Sequence, residues 1–164
     1  MKKKSIEYTL KAEKKDFPIE KIREPKDVYS YAMKFYFDDI RIYESVFLIM
    51  LNAAHNTIGY AKISQGGISQ TIVDHKIVAK YAIESLASSV ILVHNHPSGE
   101  VRPSKIDDEL TKKIQSCLNV FDIKLSDHVI VTDCTYYSYQ EEGRIWYAKR
   151  ERFIRLYHFS DRWR

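Results

Sequence analysis

Apolar and polar positions change period several times along this chain, and the changes mark out its elements. The stretch SVFLIMLN at 45–52 is almost wholly apolar, which predicts a strand covered on both faces. TIGYAKIS at 57–64 follows across the turn AAHN as its hairpin partner. Ahead of them a helix is expected to open after Pro25, with Val28, Tyr31, Ala32, Phe35 and Tyr36 on one face. Asp74 can cap a second helix running to about Leu86, with Ile77, Val78, Tyr81, Ala82 and Ile83 inward. SSVILVHNH at 88–96 returns as a central strand. A helix at about 104–119, a strand around 128–132 and a last strand in YYSY at 136–139 complete the pattern, with a short strand expected near the start at 5–10. Strands and helices interleave around one mixed sheet, so the class is α/β or α+β in a layered arrangement.

Length makes this one domain, large enough to bury a core without disulfides or a structural metal. The boundaries read as an N-terminal strand and helix at 1–36 within the same unit, a central domain at 37–143, and a tail at 144–164. The opening MKKKSIEYTLKAEKK has no apolar run behind its lysines, and no window reaches membrane-spanning length, so a cytoplasmic protein is expected. Cys117 and Cys134 lack the paired spacing of a thiolate zinc site and read as free thiols. The net charge of +4 is concentrated at the two ends. From Arg144 onward seven Lys or Arg stand against Glu151 and Asp161, interleaved with Trp146, Tyr147, Phe153, Tyr157, Phe159 and Trp163. Such a tail can neutralise phosphates and stack on bases, or dock its aromatics on the body and leave its charges in water.

The chemistry gathers at VILVHNHPSGEVRPSKIDDEL, 90–110. Side chains two apart on a strand share a face, so His94 and His96 point together beyond the strand end. Two imidazoles on one side suit a tetrahedral zinc, which in a catalytic site takes a third protein ligand and leaves its fourth position to water. Asp107, three residues into the following helix, can turn back to complete the set. The same residues also read as ordinary structure, because Ser104 to Asp107 matches a capping box and Pro-Ser-Gly is a common turn.

Taken jointly, His94-Asn95-His96-Pro97-Ser98-Gly99, Pro103-Ser104 and Asp107 resemble the JAMM/MPN metalloprotease motif in the form found in RadC-like proteins. The Gly66-Gly67 segment, the Asp74 helix, Leu125-Ser126-Asp127-His128 and Tyr136-Tyr137-Ser138 before Glu142-Gly143 resemble that family too. The likeness covers roughly 37–143. It implies the three-layer, cytidine-deaminase-like α/β fold of JAMM domains, with a mixed central sheet flanked by helices. It also implies His94, His96 and Asp107 as Zn2+ ligands, with Ser104 a hydrogen-bond partner of the zinc-bound water or the developing oxyanion. The implied reaction is metallopeptidase hydrolysis of an amide or isopeptide bond in a peptide substrate. The RadC name carries an association with DNA repair that this site chemistry does not support.

The family's general-base glutamate is expected a few residues before Gly66, where the chain reads Gly59-Tyr60-Ala61-Lys62-Ile63-Ser64. Beside a zinc ion Lys62 would be unfavourable, so the hydrolase is expected to be weakened or inactive, with its base unassigned. Glu44 at the head of the preceding strand and Glu100 in the histidine loop are the two acids that can reach in. Asp127 is the candidate to receive the second N–H of a ligand imidazole. His55, His75 and His158 are assigned no role. The competing class is a non-catalytic, zinc-stabilised module whose basic tail binds nucleic acid or protein. Against it, the 36 residues before Phe37 are too short and lysine-rich for the helix-hairpin-helix segment that often precedes such domains.

Overall fold

The computed structural model describes residues 17–36, 38–67 and 72–145. The strand expected at 5–10 and the tail beyond Ile145 lie outside the described residues. Five strands, β1 Ser45–Leu51, β2 Thr57–Gln65, β3 Ser89–Asn95, β4 Lys124–Val131 and β5 Tyr136–Ser138, form one sheet in the order β2-β1-β3-β4-β5. The β3–β4 pair is parallel and the other three pairs are antiparallel, so the sheet is mixed with β3 in its middle. Three helices accompany it: α1 Pro25–Ala32, α2 His75–Glu84 and α3 Lys105–Asn119.

Every residue of β1 and β3 is buried, which is why both read as unbroken apolar runs. Strand alternation divides them between two cores. Val46, Leu48 and Met50 with Val90 and Leu92 pack against Val78 and Ala82 of α2 and Ile114 and Leu118 of α3. Phe47, Ile49 and Leu51 with Ile91 and Val93 face the other way, against Val28, Tyr31 and Ala32 of α1 and the following Phe35 and Tyr36. The result is the α/β/α layering that the motif resemblance implies. Among the described residues no helix is long and apolar enough to cross a membrane.

Three details differ from the sequence pattern. First, α1 starts on Pro25 itself, whose missing N–H costs nothing in a first turn. Second, α2 buries Val78, Ala79 and Ala82, while Ile77 and Ile83 remain 40% exposed. Its alanines let it lie close to the sheet, and a helix apolar nearly all round does not declare which face that is. Third, β4 begins at Lys124, four residues before the apolar run that announced it. A bulge opposite the Val90–Ile91 step places Leu125 and His128, three apart, on the same face.

Asn95 locks the sheet to the segment before it. Its Oδ1 accepts from the Ser45 N–H at 2.8 Å, and its amide donates to the carbonyls of Ile40 (2.6 Å) and Tyr43 (2.8 Å). This fixes where the chain enters β1, and so where Glu44 stands.

Candidate metal centre

His94 shares its sheet face with Val90 and Leu92 and ends that row, 1% exposed, under the start of α3. His96 lies just past β3 but keeps the ladder going, its N–H donating to the Val131 carbonyl at 3.1 Å. The loop then doubles back at Gly99, whose φ of +81° suits glycine, with the Gly99 N–H on the His96 carbonyl. That fold brings the Glu100 carbonyl to 2.6 Å from His96 Nδ1. A carbonyl only accepts, so Nδ1 carries the hydrogen and Nε2 is the His96 nitrogen left to bind an ion.

Asp107 arrives from the first turn of α3. Ser104 caps the helix: its N–H and its hydroxyl donate to Asp107 Oδ2 at 2.7 and 2.6 Å, and the Asp107 N–H donates back to Ser104 Oγ at 3.2 Å. The capping box is therefore real, and it aims the carboxylate at the histidines. His94 Nε2 stands 3.3 Å from Asp107 Oδ1, His96 Nε2 stands 3.7 Å from Oδ2, and the two Nε2 atoms are 2.9 Å apart. Ligand atoms around a tetrahedral zinc are about 3.4 Å from one another, so the three separations bracket what one ion needs. All three residues lie within a 4.8 Å group, and two imidazoles with a carboxylate are a donor set that zinc accepts.

The electrostatics favour a cation. Burial opposes ionisation of Asp107, but the neighbouring His94 and His96 and the Ser104 hydroxyl outweigh it and hold its carboxyl well below the usual range. At His96 burial works against the imidazolium. The bonds to Asp107 and the Glu100 carbonyl and the negative charges of Asp107 and Glu44 outweigh it and raise the pKa. His128, fully buried beside His94, is pushed far below the ordinary histidine value and is neutral.

The remaining sequence candidates fall in different places. Asp127 turns away from the histidine rings, its oxygens accepting from Ser138 Oγ (2.6 Å) and the N–H groups of His128 (2.7 Å) and Gln140 (2.9 Å). The second nitrogen of His94 meets His128 instead, Nδ1 to Nε2 at 2.8 Å, and His128 Nδ1 lies 2.6 Å from Thr111 Oγ1. Thr111 donates to the Asp107 carbonyl at 2.6 Å. Only a contact across 34 residues reveals the His128 role, and no local spacing signals it.

Lys62 does not stand beside the metal group. It pairs with Phe47, its Nζ lies 5.4 Å from that ring and donates to Gln65 at 2.8 Å, and Phe47 belongs to the α1 face. The histidines occupy the opposite face, so an acid at position 62 would not reach them either, and Lys62 puts no positive charge beside the group. Glu44 has the parity of Val46, which pairs with His94. Its backbone is clamped by the Gly66 N–H (2.8 Å) and the Gly67 carbonyl (3.1 Å), and its charge is felt at His96. Glu100 contributes its carbonyl, while its exposed carboxylate faces the Arg102 N–H.

His55 sits in the β1–β2 turn and His75 opens α2, both outside the group, and His158 lies outside the described residues. Both cysteines are free thiols. Arg144, the first basic residue of the tail, is bound to both oxygens of Asp108 at 2.6 Å and to the Tyr137 hydroxyl at 3.1 Å.

A family model described as the RadC-like JAB domain matches residues 22–144. The chain belongs to that family. The match takes in α1, which packs on the sheet as part of the same unit. Relatives of this RadC-like domain include a UPF0758 protein of Flavobacterium johnsoniae, 44% identical over 101 residues, 62% of this chain and 44% of the relative. A UPF0758 protein of Caldanaerobacter subterraneus is 40% identical over 124 residues, covering 74% of this chain and 52% of its own length. One from Streptococcus sanguinis is 40% identical over 99 residues, 60% of this chain and 44% of the relative. The chain thus spans about half the length of the curated relatives it matches.

Proposed function

We propose that this RadC-like domain is a zinc-dependent hydrolase of amide or isopeptide bonds, with Glu44 as its general base. The observation that carries the reading is the group of two imidazoles and a carboxylate, with Glu44 placed just before β1, two residues from the partner of His94, and its charge felt at His96. An ion held by His94, His96 and Asp107 would polarise a carbonyl oxygen and acidify water. The protein's own groups supply the proton traffic. The Glu44 carboxylate takes a proton from the attacking water and returns it to the leaving amine nitrogen. Ser104 Oγ, on the exposed first turn of α3, swings its hydrogen from Asp107 to the oxyanion as negative charge develops there. A pocket of ≈230 Å³ beside His96, lined by Ile40, Arg41, Pro97, Ser98, Gly99 and Asp133, gives the substrate chain a place to lie.

The test is zinc content and hydrolysis of a panel of peptide and isopeptide-linked substrates. Wild type is expected to carry about one zinc and to cleave. Glu44→Gln should keep the zinc and lose roughly 100- to 10,000-fold in rate, the usual worth of general acid–base help. Lys62→Ala should match wild type in both. A zinc-loaded wild type that cuts nothing, or a fully active Glu44→Gln, would sink the reading.

A further inference from the structure

His94 has an incomplete specification if only the ligand group is considered. An imidazole holds a metal through a nitrogen that bears no hydrogen, and for His94 that nitrogen is Nε2, the one facing His96 and Asp107. Something must keep the hydrogen on Nδ1. For His96 a backbone carbonyl does this directly. For His94 the atom opposite Nδ1 is another histidine nitrogen, which can donate or accept, and the choice is passed along a chain.

That chain has an end. Thr111 Oγ1 lies 2.6 Å from the Asp107 carbonyl, which only accepts, so the hydroxyl hydrogen is committed there. Toward His128 Nδ1, also at 2.6 Å, the threonine oxygen is left as an acceptor, and Nδ1 must carry the hydrogen. His128 is completely buried, and no carboxylate contacts its ring nitrogens, so it carries one hydrogen and its Nε2 accepts. His94 Nδ1 is then the donor, which leaves Nε2 as the nitrogen that can turn a lone pair to an ion. Tyr139 holds the relay in plane: its ring stacks on His128 at 4.8 Å and 13°, and its hydroxyl donates to Asp108 at 2.9 Å. Arg144 clamps that same carboxylate and lies 5.0 Å from the Tyr139 ring.

We infer that Thr111 and His128 are positioning residues that fix the His94 tautomer, so that the main-chain carbonyl of one metal ligand, Asp107, prepares the ring of another. The inference rests on the metal reading above for its purpose, but its physical content is a tautomer that exists without metal. Long-range 1H–15N correlation of the imidazoles in metal-free protein at pH 8 reads it directly. His94 and His128 should both appear with hydrogen on Nδ1. Zinc affinity, measured by chelator competition, should fall 10- to 100-fold in Thr111→Val, which has the same shape but no hydroxyl, and recover in Thr111→Ser.

A His94 that lacks hydrogen on Nδ1 in wild type would overturn the relay, whatever the variants do. So would a Thr111→Val protein with wild-type tautomers and affinity, or a Thr111→Ser protein as weak as the valine variant, which would mark a packing role. Expected tautomers in a protein that takes up no zinc would uphold the relay and sink the hydrolase reading. Zinc bound with the opposite tautomer would do the reverse.

Discussion

At the scale of single residues, the acids of this domain divide by what surrounds them. Asp107 is ionised in a setting that rewards its charge, whereas Asp127 is 4% exposed and accepts three hydrogen bonds with no cation on it. Burial dominates there, outweighing those bonds, and raises its pKa from 3.8 to about 6. Because the folded value lies above the unfolded one, the stability this group contributes is complete below about pH 4 and is lost as pH rises through 6. The loss is on the order of 3 kcal/mol. Asp127→Asn removes the titration while its amide can still donate to Ser138 and its oxygen can still accept from the two backbone N–H groups. The stability of the variant relative to wild type, from urea unfolding, should therefore rise between pH 4 and pH 7 and be flat above. A difference that does not change with pH would show that the three hydrogen bonds fully compensate the burial.

At the scale of elements, the first turn of α3 serves the helix and the ligand group with one carboxylate. Ser104→Ala removes one of the two donors on Asp107 Oδ2 and the acceptor for the Asp107 N–H. It should cost about 1 kcal/mol in metal-free protein, as loss of an N-cap does, and weaken zinc binding as well. Thr at 104 should restore both, which thermal unfolding and chelator competition can follow separately. This coupling was legible in the sequence, because the capping-box spacing and the ligand spacing are the same four residues. So was the shared face of His94 and His96, which needs only the two-residue period of a strand. What the chain does not spell out is register. β2 meets β1 through irregularities at Val46/Phe47 and Met50/Leu51, and one extra residue turns every later side chain to the other face. The side on which Lys62 falls, with Phe47 and away from the histidines, was set there. The bulge in β4 and the His94–His128 contact were hidden for the same reason, since pairing between distant strands leaves no mark on local pattern.

At the scale of the whole molecule, the ligand group joins elements that are otherwise separate in the chain: β3 supplies His94, the loop beyond it His96, and α3 Asp107. An ion bound to all three ties the middle strand to the helix covering it, and binds the folded chain far better than the unfolded one, where no such cradle exists. Free zinc at 100 times its dissociation constant then stabilises the fold by about 2.7 kcal/mol. For a chain of this length that corresponds to a rise in Tm of roughly 5–10 °C. Chelation should abolish the rise. His96→Ala should start near the metal-free wild type and gain little from zinc, because it loses a ligand that is only partly buried and leaves both cores untouched. The increment should also fade as pH falls, since the histidine nitrogens must be free of protons to bind. An equal zinc-dependent rise in wild type and His96→Ala would place the ion somewhere other than between β3 and α3.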